Sequence, residues 1–209
     1  MIAVEKSFDR VFDAQQVFRC ILDAMARPGK VNLLPVTGLC PPGGWCSRVA
    51  AVAFTLLDRE VAFCVLGGET EEITNYLAVN TGSRPVQVEA ADFIIAPGRE
   101  AIPGLALAGR GTLEHPDGGA TVIIIIDEIL FDGEIPAASE HRGLAVTLSG
   151  PGIPGHRRLL FRGLHPSYLE HFKVLNREYP QGVDWIIVAG DGRVACLPRT
   201  TTVHREVGI

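Results

Sequence analysis

Lysine is scarce in this chain, and the scarcity limits the chemistry open to it. Among 209 residues only Lys6, Lys30 and Lys173 could form the Schiff base that a pyridoxal-phosphate enzyme requires. Lys6 lies close to the N-terminus, and Lys173 follows Phe172 in a predicted helix, a position typical of a solvated side chain. Lys30 is the only plausible candidate, so we expect no pyridoxal phosphate and no other cofactor.

The motifs of several other site classes are also missing. The six histidines form no H-x-H or H-E-x-x-H pattern, and none of the five cysteines is spaced C-x-x-C, so we expect no metal site. No G-x-S-x-G occurs, which argues against a serine hydrolase. The odd number of cysteines indicates reduced thiols in a reducing compartment, and we expect a cytoplasmic protein.

The chain has no long apolar run and no positive net charge. Its longest run of β-type residues, 122–126, is far below the ~18 apolar residues of a membrane span. The first six residues lack a basic region followed by an apolar stretch, so we expect no signal peptide. A net charge of −5 argues against nonspecific binding to nucleic acid or to a membrane surface. We therefore expect neither as a partner.

What is present indicates an α/β fold in one domain, residues 1–209. Apolar residues make up 47% and charged residues 21%, which is typical of a globular protein. The predicted helices cover residues 13–27, 47–57, 70–80 and 167–178, and the predicted strands cover 61–66, 92–96, 122–126, 144–148, 183–188 and 193–197. This interleaving predicts a central mixed sheet covered by helices. The uninterrupted run 122–126 predicts a strand near its centre with both faces buried.

The first predicted helix carries the clearest periodicity. Asp13 has the position of an N-terminal cap, and Phe18, Ile21, Leu22 and Met25 follow at helical spacing as one apolar stripe. The second clear local pattern is Gly190-Asp191-Gly192 between two apolar runs, which predicts a β-hairpin.

Residues 150–155 match G-x-G-x-x-G after a predicted strand. A dinucleotide site needs a helix to open at these glycines with free N–H groups, but Pro151 and Pro154 lack that donor and no helix start follows. We therefore interpret the segment as a turn. His156, Arg157 and Arg158 come next, and they fit either an exposed basic loop or an anion contact.

Two further basic stretches are candidates for binding an anion. Arg27 and Gly29 lie where the first helix ends, and a cation there can simply complement the helix dipole. Arg199 and the two threonines after it follow the last predicted strand, where they could grip a phosphate oxygen or form a plain polar tail. The predicted substrate or anion-binding set is Arg27, Gly29, Gly150, Gly152, Arg199, Thr200 and Thr201. We expect it to form an anion-binding surface and not a catalytic centre.

Three segments, taken together, resemble the PhnH family from end to end. They are residues 12–29 at the start of the chain, residues 148–153 in its middle, and residues 182–187 with 197–201 near its end. The resemblance implies a fold similar to the large domain of pyridoxal-phosphate transferases, without the cofactor. It implies a homodimer that joins PhnG, PhnI and PhnJ in the carbon–phosphorus lyase core complex of phosphonate metabolism. That complex makes ribose 1-methylphosphonate 5-triphosphate from ATP and methylphosphonate, a transferase step, and then cleaves the carbon–phosphorus bond.

Two functional hypotheses follow. The first is a structural or substrate-channelling subunit of that complex, with no catalytic residue of its own. The second is a stand-alone phosphate-ester or phosphonate-binding enzyme that uses Arg27, Arg199 and the 150–158 segment. Counting the 23 glycines, apolar residues reach roughly 58% against a typical ~45–50%, which favours a homodimer with an interface above about 2,000 Å².

Overall fold

Two β-sheets and a helical layer make up the protein, which we describe from a computed structural model. The structure describes residues 4–36, 38–135 and 143–206. Both ends of the predicted 1–209 domain, residues 1–3 and 207–209, lie outside these residues. A single domain over the whole chain stays a prediction.

The described residues contain four α-helices and eleven strands. The helices are α1 (Phe12–Ala26), α2 (Ser47–Leu56), α3 (Glu71–Thr81) and α4 (Ser167–Leu175). The strands are β1 (Asn32–Leu33), β2 (Ala62–Val65), β3 (Arg84–Pro85), β4 (Phe93–Pro97), β5 (Thr121–Ile126), β6 (Glu128–Phe131), β7 (Leu144–Ser149), β8 (Arg157–Arg162), β9 (Asp184–Ala189), β10 (Arg193–Leu197) and β11 (Thr202–Arg205). Each of the four helices overlaps a predicted one.

The larger sheet is mixed and has β5 in its middle, as predicted. Its seven strands lie in the order β1-β10-β9-β5-β4-β2-β3. Strands β2, β4, β5 and β9 run parallel to one another, and β10 returns antiparallel to β9 as the predicted hairpin. Ile124 is wholly buried, with Ala96 and Ile187 opposite it on the two neighbouring strands. The expectation of a central strand covered on both faces is confirmed.

The two faces of this sheet are covered by different kinds of structure. Ile123 packs into a core shared with buried residues of α1, α2 and α3. Val122 and Ile124 pack into a second core, which contains buried residues of α4 and of a second sheet. The expectation that helices alone cover the sheet is therefore wrong for one face.

The second sheet has four antiparallel strands in the order β11-β7-β8-β6. Only β7 was predicted. Arg157 and Arg158, interpreted as part of a basic loop, in fact begin β8. The reason is pairing across the turn: Arg158 lies opposite Thr147 of the preceding strand β7, and the apolar residues that follow it enter the core. The 150–155 segment is the turn that joins β7 to β8, as interpreted.

Helix α1 differs from its prediction in cap and in buried face. Asp9, and not Asp13, caps it, since one oxygen of Asp9 accepts the N–H groups of Val11 and Phe12 at 2.8 and 2.9 Å. These hydrogen bonds lower the pKa of the Asp9 carboxyl. The buried residues of the helix are Val17, Ile21 and Ala24, one position away from much of the predicted stripe. Phe18 and Leu22 are 48% and 55% exposed.

Candidate anion-binding site

The end of α1 and the β7–β8 turn pack closely against each other, although about 120 residues separate them along the chain. Gly152 has φ +79, and a Cβ there would lie 2.6 Å from the carbonyl oxygen of Ala26 and 3.0 Å from Pro28. Gly29 has φ +82, and a Cβ there would lie 2.9 Å from the Cβ of Arg157. Both positions therefore need glycine for their backbone angle and for the space.

A carboxylate organises the cations where α1 ends. Asp23 forms ion pairs with Arg27, four residues later, and with the ammonium of Lys30 at 2.6 Å. It also accepts a hydrogen bond from the amide of Asn32 at 2.8 Å. One negative charge thus holds two positive side chains, both about half exposed, so this corner of the molecule has a surplus of positive charge.

Strand β8 brings two more cations to the same place. Arg158 makes a bidentate ion pair with Glu206, at 2.7 Å from Nε and 2.6 Å from Nη2, and these hydrogen bonds raise the pKa of its guanidinium. The side chain of Arg157 is exposed, and its guanidinium forms no ion pair or hydrogen bond with any residue that the structure describes. Its charge is available to a ligand.

These elements enclose a cavity of about 410 Å³, which we call the α1–β8 pocket. Its lining residues are Arg27, Pro28, Gly29, Lys30, Val31, Phe131, Asp132, Gly152, Pro154, Arg157 and Arg158. The lining contains four positive side chains and one carboxylate, Asp132. Two more carboxylates, Asp23 and Glu206, lie outside the lining and form ion pairs with these positive side chains. The net charge of these groups is +1, and the other lining residues are mostly apolar. This combination suits an oxyanion with a small apolar part.

Arg199 lies outside the α1–β8 pocket, and its guanidinium already has partners within the protein. Its guanidinium makes a bidentate ion pair with Asp184, at 2.6 Å from Nη2 to Oδ2 and 3.3 Å from Nε to Oδ1, and its Nη1 donates to the carbonyl of Pro116 at 2.5 Å. The side chain is 14% exposed. A Cβ at Gly119 would lie 2.8 Å from Nη1. Arg199 therefore ties the start of β9 to two loops.

The β7–β8 turn separates the predicted site residues into two groups. Gly150, at one end of the turn, lies against Thr200, since a Cβ there would meet the Thr200 carbonyl at 3.0 Å. Thr200 and Thr201 line a second cavity of about 600 Å³ together with Arg199. The structure brings together Arg27, Gly29 and Gly152, and it places Gly150, Arg199, Thr200 and Thr201 on the far side of the turn. Arg27 and Arg199, which a stand-alone enzyme would have to use together, line different cavities.

Sequence patterns missed part of the α1–β8 pocket. Lys30 and Arg158 were noticed as basic residues but not placed in the site, and Phe131 gave no signal at all. The alternation that would have marked β8 is hidden, because its two arginines precede three consecutive apolar residues. The pairing of Arg158 with Glu206 spans 48 residues and has no local signature.

Two features of the described residues concern metal binding and membrane insertion. No group of three or more histidine, cysteine, aspartate or glutamate side chains is arranged there to hold a metal ion. No helix in that part of the chain is long and apolar enough to cross a membrane.

Comparisons with known proteins agree along nearly the whole chain. The family model described as bacterial phosphonate metabolism protein (PhnH) matches residues 6–204. A protein of Rhizobium meliloti (strain 1021), alpha-D-ribose 1-methylphosphonate 5-triphosphate synthase subunit PhnH, is 29% identical over 200 residues, which are 95% of this chain and 94% of that protein. The putative C-P lyase subunit protein HtxG of Stutzerimonas stutzeri is 33% identical over 193 residues, which are 91% of this chain and 85% of that protein.

The close approach of the turn to α1 gives a matched pair of substitutions. Gly155 has nearly the same backbone angle as Gly152, φ +75, but open space where a Cβ would lie. We expect Gly155→Ala to lower the free energy of unfolding by about 1 kcal/mol, from backbone strain alone. Gly152→Ala should cost at least about 2 kcal/mol, because the new Cβ also meets the Ala26 carbonyl. Urea denaturation of both variants measures the difference, and equal losses would contradict the packing described here.

Proposed function

This chain belongs to the PhnH family of bacterial phosphonate metabolism proteins, and on that premise we propose that it is a subunit of a carbon–phosphorus lyase assembly. Within it, the chain contributes to the synthesis of ribose 1-methylphosphonate 5-triphosphate. The observation that carries the proposal is the extent of the similarity: the family match runs over residues 6–204, and both relatives are covered over more than four-fifths of their length. We further propose PhnG, PhnI and PhnJ as its partners.

We infer a binding or channelling role for the chain and assign the bond-making steps to its partners. The α1–β8 pocket supports this role, because its charged groups are mostly arginines. An arginine keeps its proton at neutral pH, so it binds and orients an anion but does not act there as a general base. Lys30, the only plausible Schiff-base lysine, is engaged with Asp23 at 2.6 Å, which supports a protein without pyridoxal phosphate. Likeness to the large domain of pyridoxal-phosphate transferases stays part of the proposal.

The ligand we propose for the α1–β8 pocket is a phosphate or phosphonate group. Arg157 is the central contact, because Arg27 and Lys30 share one carboxylate and Arg158 has its own. A tetrahedral oxyanion could accept hydrogen bonds from Arg157 and from a neighbouring cation at once. Phe131, Pro154 and other apolar walls leave room for a short carbon substituent beside it.

We also propose a cytoplasmic homodimer. The five cysteines are free, and burial raises the pKa of the Cys20, Cys64 and Cys196 thiols, as expected for reduced residues. Val11, just before α1, and Phe18 and Leu22 within it recur at intervals of seven and four, and they are 69%, 48% and 55% exposed. Residues at this spacing share one side of a helix and form an apolar stripe, which a second copy would cover.

Assembly is the first test. We expect the tagged chain, co-expressed with PhnG, PhnI and PhnJ of the same organism, to retain all three on affinity purification. We expect product from ATP and methylphosphonate only when the partners are present. The tag expressed without the chain is the control for retention. Failure of the partners to co-purify contradicts the subunit proposal, and turnover by the purified chain alone would support the stand-alone enzyme instead.

Anion binding is the second test. Arg157→Gln should weaken the binding of methylphosphonate or inorganic phosphate roughly tenfold, the loss expected for one charge-assisted contact. Arg19→Gln is the control, because Arg19 is an exposed arginine of α1 that lies outside the pocket, roughly 12 Å along the helix axis from Arg27. Calorimetric titration at low and high salt measures the affinity of both variants for the anion. Equal affinities in the two variants would remove Arg157 from the site.

The dimer is the third test. We expect the wild-type chain to be dimeric at micromolar concentration, and the double variant Phe18→Glu, Leu22→Glu to be monomeric, because two charges would enter an apolar interface. Val79→Glu on α3 is the control, since Val79 is 53% exposed and lies on another helix. Light scattering after gel filtration separates the states. A monomeric wild type defeats the homodimer, and a dimeric double variant places the interface elsewhere.

A further inference from the structure

The carboxyl ends of the parallel strands β2, β4, β5 and β9 meet at one edge of the larger sheet. From β2 the chain passes to α3, whose buried residues belong to the core on the helical face. From its neighbour β4 the chain passes to Ile102 and Leu105, which belong to the core on the opposite face. Where connections leave adjacent parallel strands toward opposite faces, the strand ends spread into a crevice, which is the usual ligand site of open α/β sheets.

A cavity of about 680 Å³ lies at this point, and we call it the switch-point crevice. Gly67 and Gly68 line it after β2, Glu100 after β4, and Gly190 after β9. Arg48 reaches it from the first turn of α2, whose leading N–H groups no side chain caps. The volume is within the range of pockets that hold small metabolites, roughly 300–1,000 Å³.

Arg48 is held in the crevice by packing and not by a carboxylate. Its guanidinium forms no hydrogen bond or ion pair with the residues described, and its Nε is buried without a partner. Its guanidinium lies over Gly192 of the β9–β10 turn, where a Cβ would be 2.1 Å from Nε and 2.9 Å from Cζ. A partly buried guanidinium without a counter-charge favours an oxyanion, because burial without a partner is costly.

The mouth of the crevice has the opposite character. Glu69 and Glu100 line it and are exposed, and neither is in an ion pair with a described residue. Ionised carboxylates only accept hydrogen bonds, so they suit hydroxyl groups and would repel a second anion. A ligand that matches these groups has one oxyanion for Arg48 and hydroxyl groups for the two carboxylates.

We propose that the switch-point crevice binds a small phosphorylated sugar, with its phosphate on Arg48 and its hydroxyls at Glu69 and Glu100. The inference is independent of the assembly proposed above, because it uses only the sheet topology and the contacts of these three residues. It is also separate from the α1–β8 pocket, with which the crevice shares no lining residue.

The test uses the full chain labelled with ¹⁵N and three probes: ribose 5-phosphate, inorganic phosphate and ribose. We expect ribose 5-phosphate to shift the amide signals of Gly67, Gly68 and Gly190 and to bind more tightly than phosphate. Ribose alone should show no measurable binding. Unmoved glycine signals at millimolar ribose 5-phosphate would overturn the proposal. Phosphate binding as tight as ribose 5-phosphate would overturn the assignment of the hydroxyls to the two glutamates.

Two substitutions locate the phosphate. Arg48→Met keeps the packing stem and removes the charge, so affinity for ribose 5-phosphate should fall roughly tenfold or more. Arg84→Met is the matched control, because Arg84 is exposed on β3 opposite Ala62, at the amino end of β2 and away from the crevice. Circular dichroism melts establish that both variants fold. An Arg48→Met variant that folds and binds ribose 5-phosphate as tightly as the control overturns the proposal. If Arg48→Met does not fold, the shifts of the glycine signals in the wild type decide whether the crevice is the binding site.

Discussion

Water must be kept from both faces of β5, and the positions of the other elements follow from that requirement. A strand of five consecutive β-branched residues presents apolar side chains above and below the sheet, so one covering layer is not enough. Helices α1 to α3 shield Ile123, while Val122 and Ile124 need a second layer on the other side. That layer contains α4 and the antiparallel sheet, and strand β8 of this sheet brings Arg157 and Arg158 alongside the end of α1.

The α1–β8 pocket thus arises from covering the sheet, and glycine makes the contact close enough to form it. Gly29 and Gly152 remove the two side chains that would hold α1 and the β7–β8 turn apart. Asp23 then fixes the cations of one wall, and Glu206 fixes Arg158 on the other. Arg157 has no such carboxylate among the described residues, so the site combines fixed walls with one free charge.

The sequence was sufficient for the fold wherever a pattern was local and strongly apolar. The run 122–126 predicted the central strand, and Gly190-Asp191-Gly192 predicted the β9–β10 hairpin. Strand β8 was missed because its two leading arginines precede three consecutive apolar residues and hide any alternation. Strand β11 was missed because its partner β7 is far away along the chain and, within β11, only Val203 is buried. The buried stripe of α1 was misplaced by one position, since periodicity alone does not say which side of a helix meets the core.

The candidate site was predictable only in part, for a related reason. Glycines beside cations at the ends of elements did indicate Arg27, Gly29 and Gly152, which the structure brings together. The same pattern also indicated Arg199, whose guanidinium is bound to Asp184, 15 residues earlier at the start of β9. Which arginine is free and which is paired depends on contacts between distant segments, and the residue types alone do not reveal it.

The outer edges of the larger sheet limit how neighbouring subunits can attach. Strand β1 at one edge and β3 at the other have two residues each, and β3 ends in Pro85, which has no N–H to offer. A neighbour that tried to extend the sheet would find too few backbone partners on either side. Subunits that assemble with this protein therefore have to attach somewhere other than the two edges of its larger sheet.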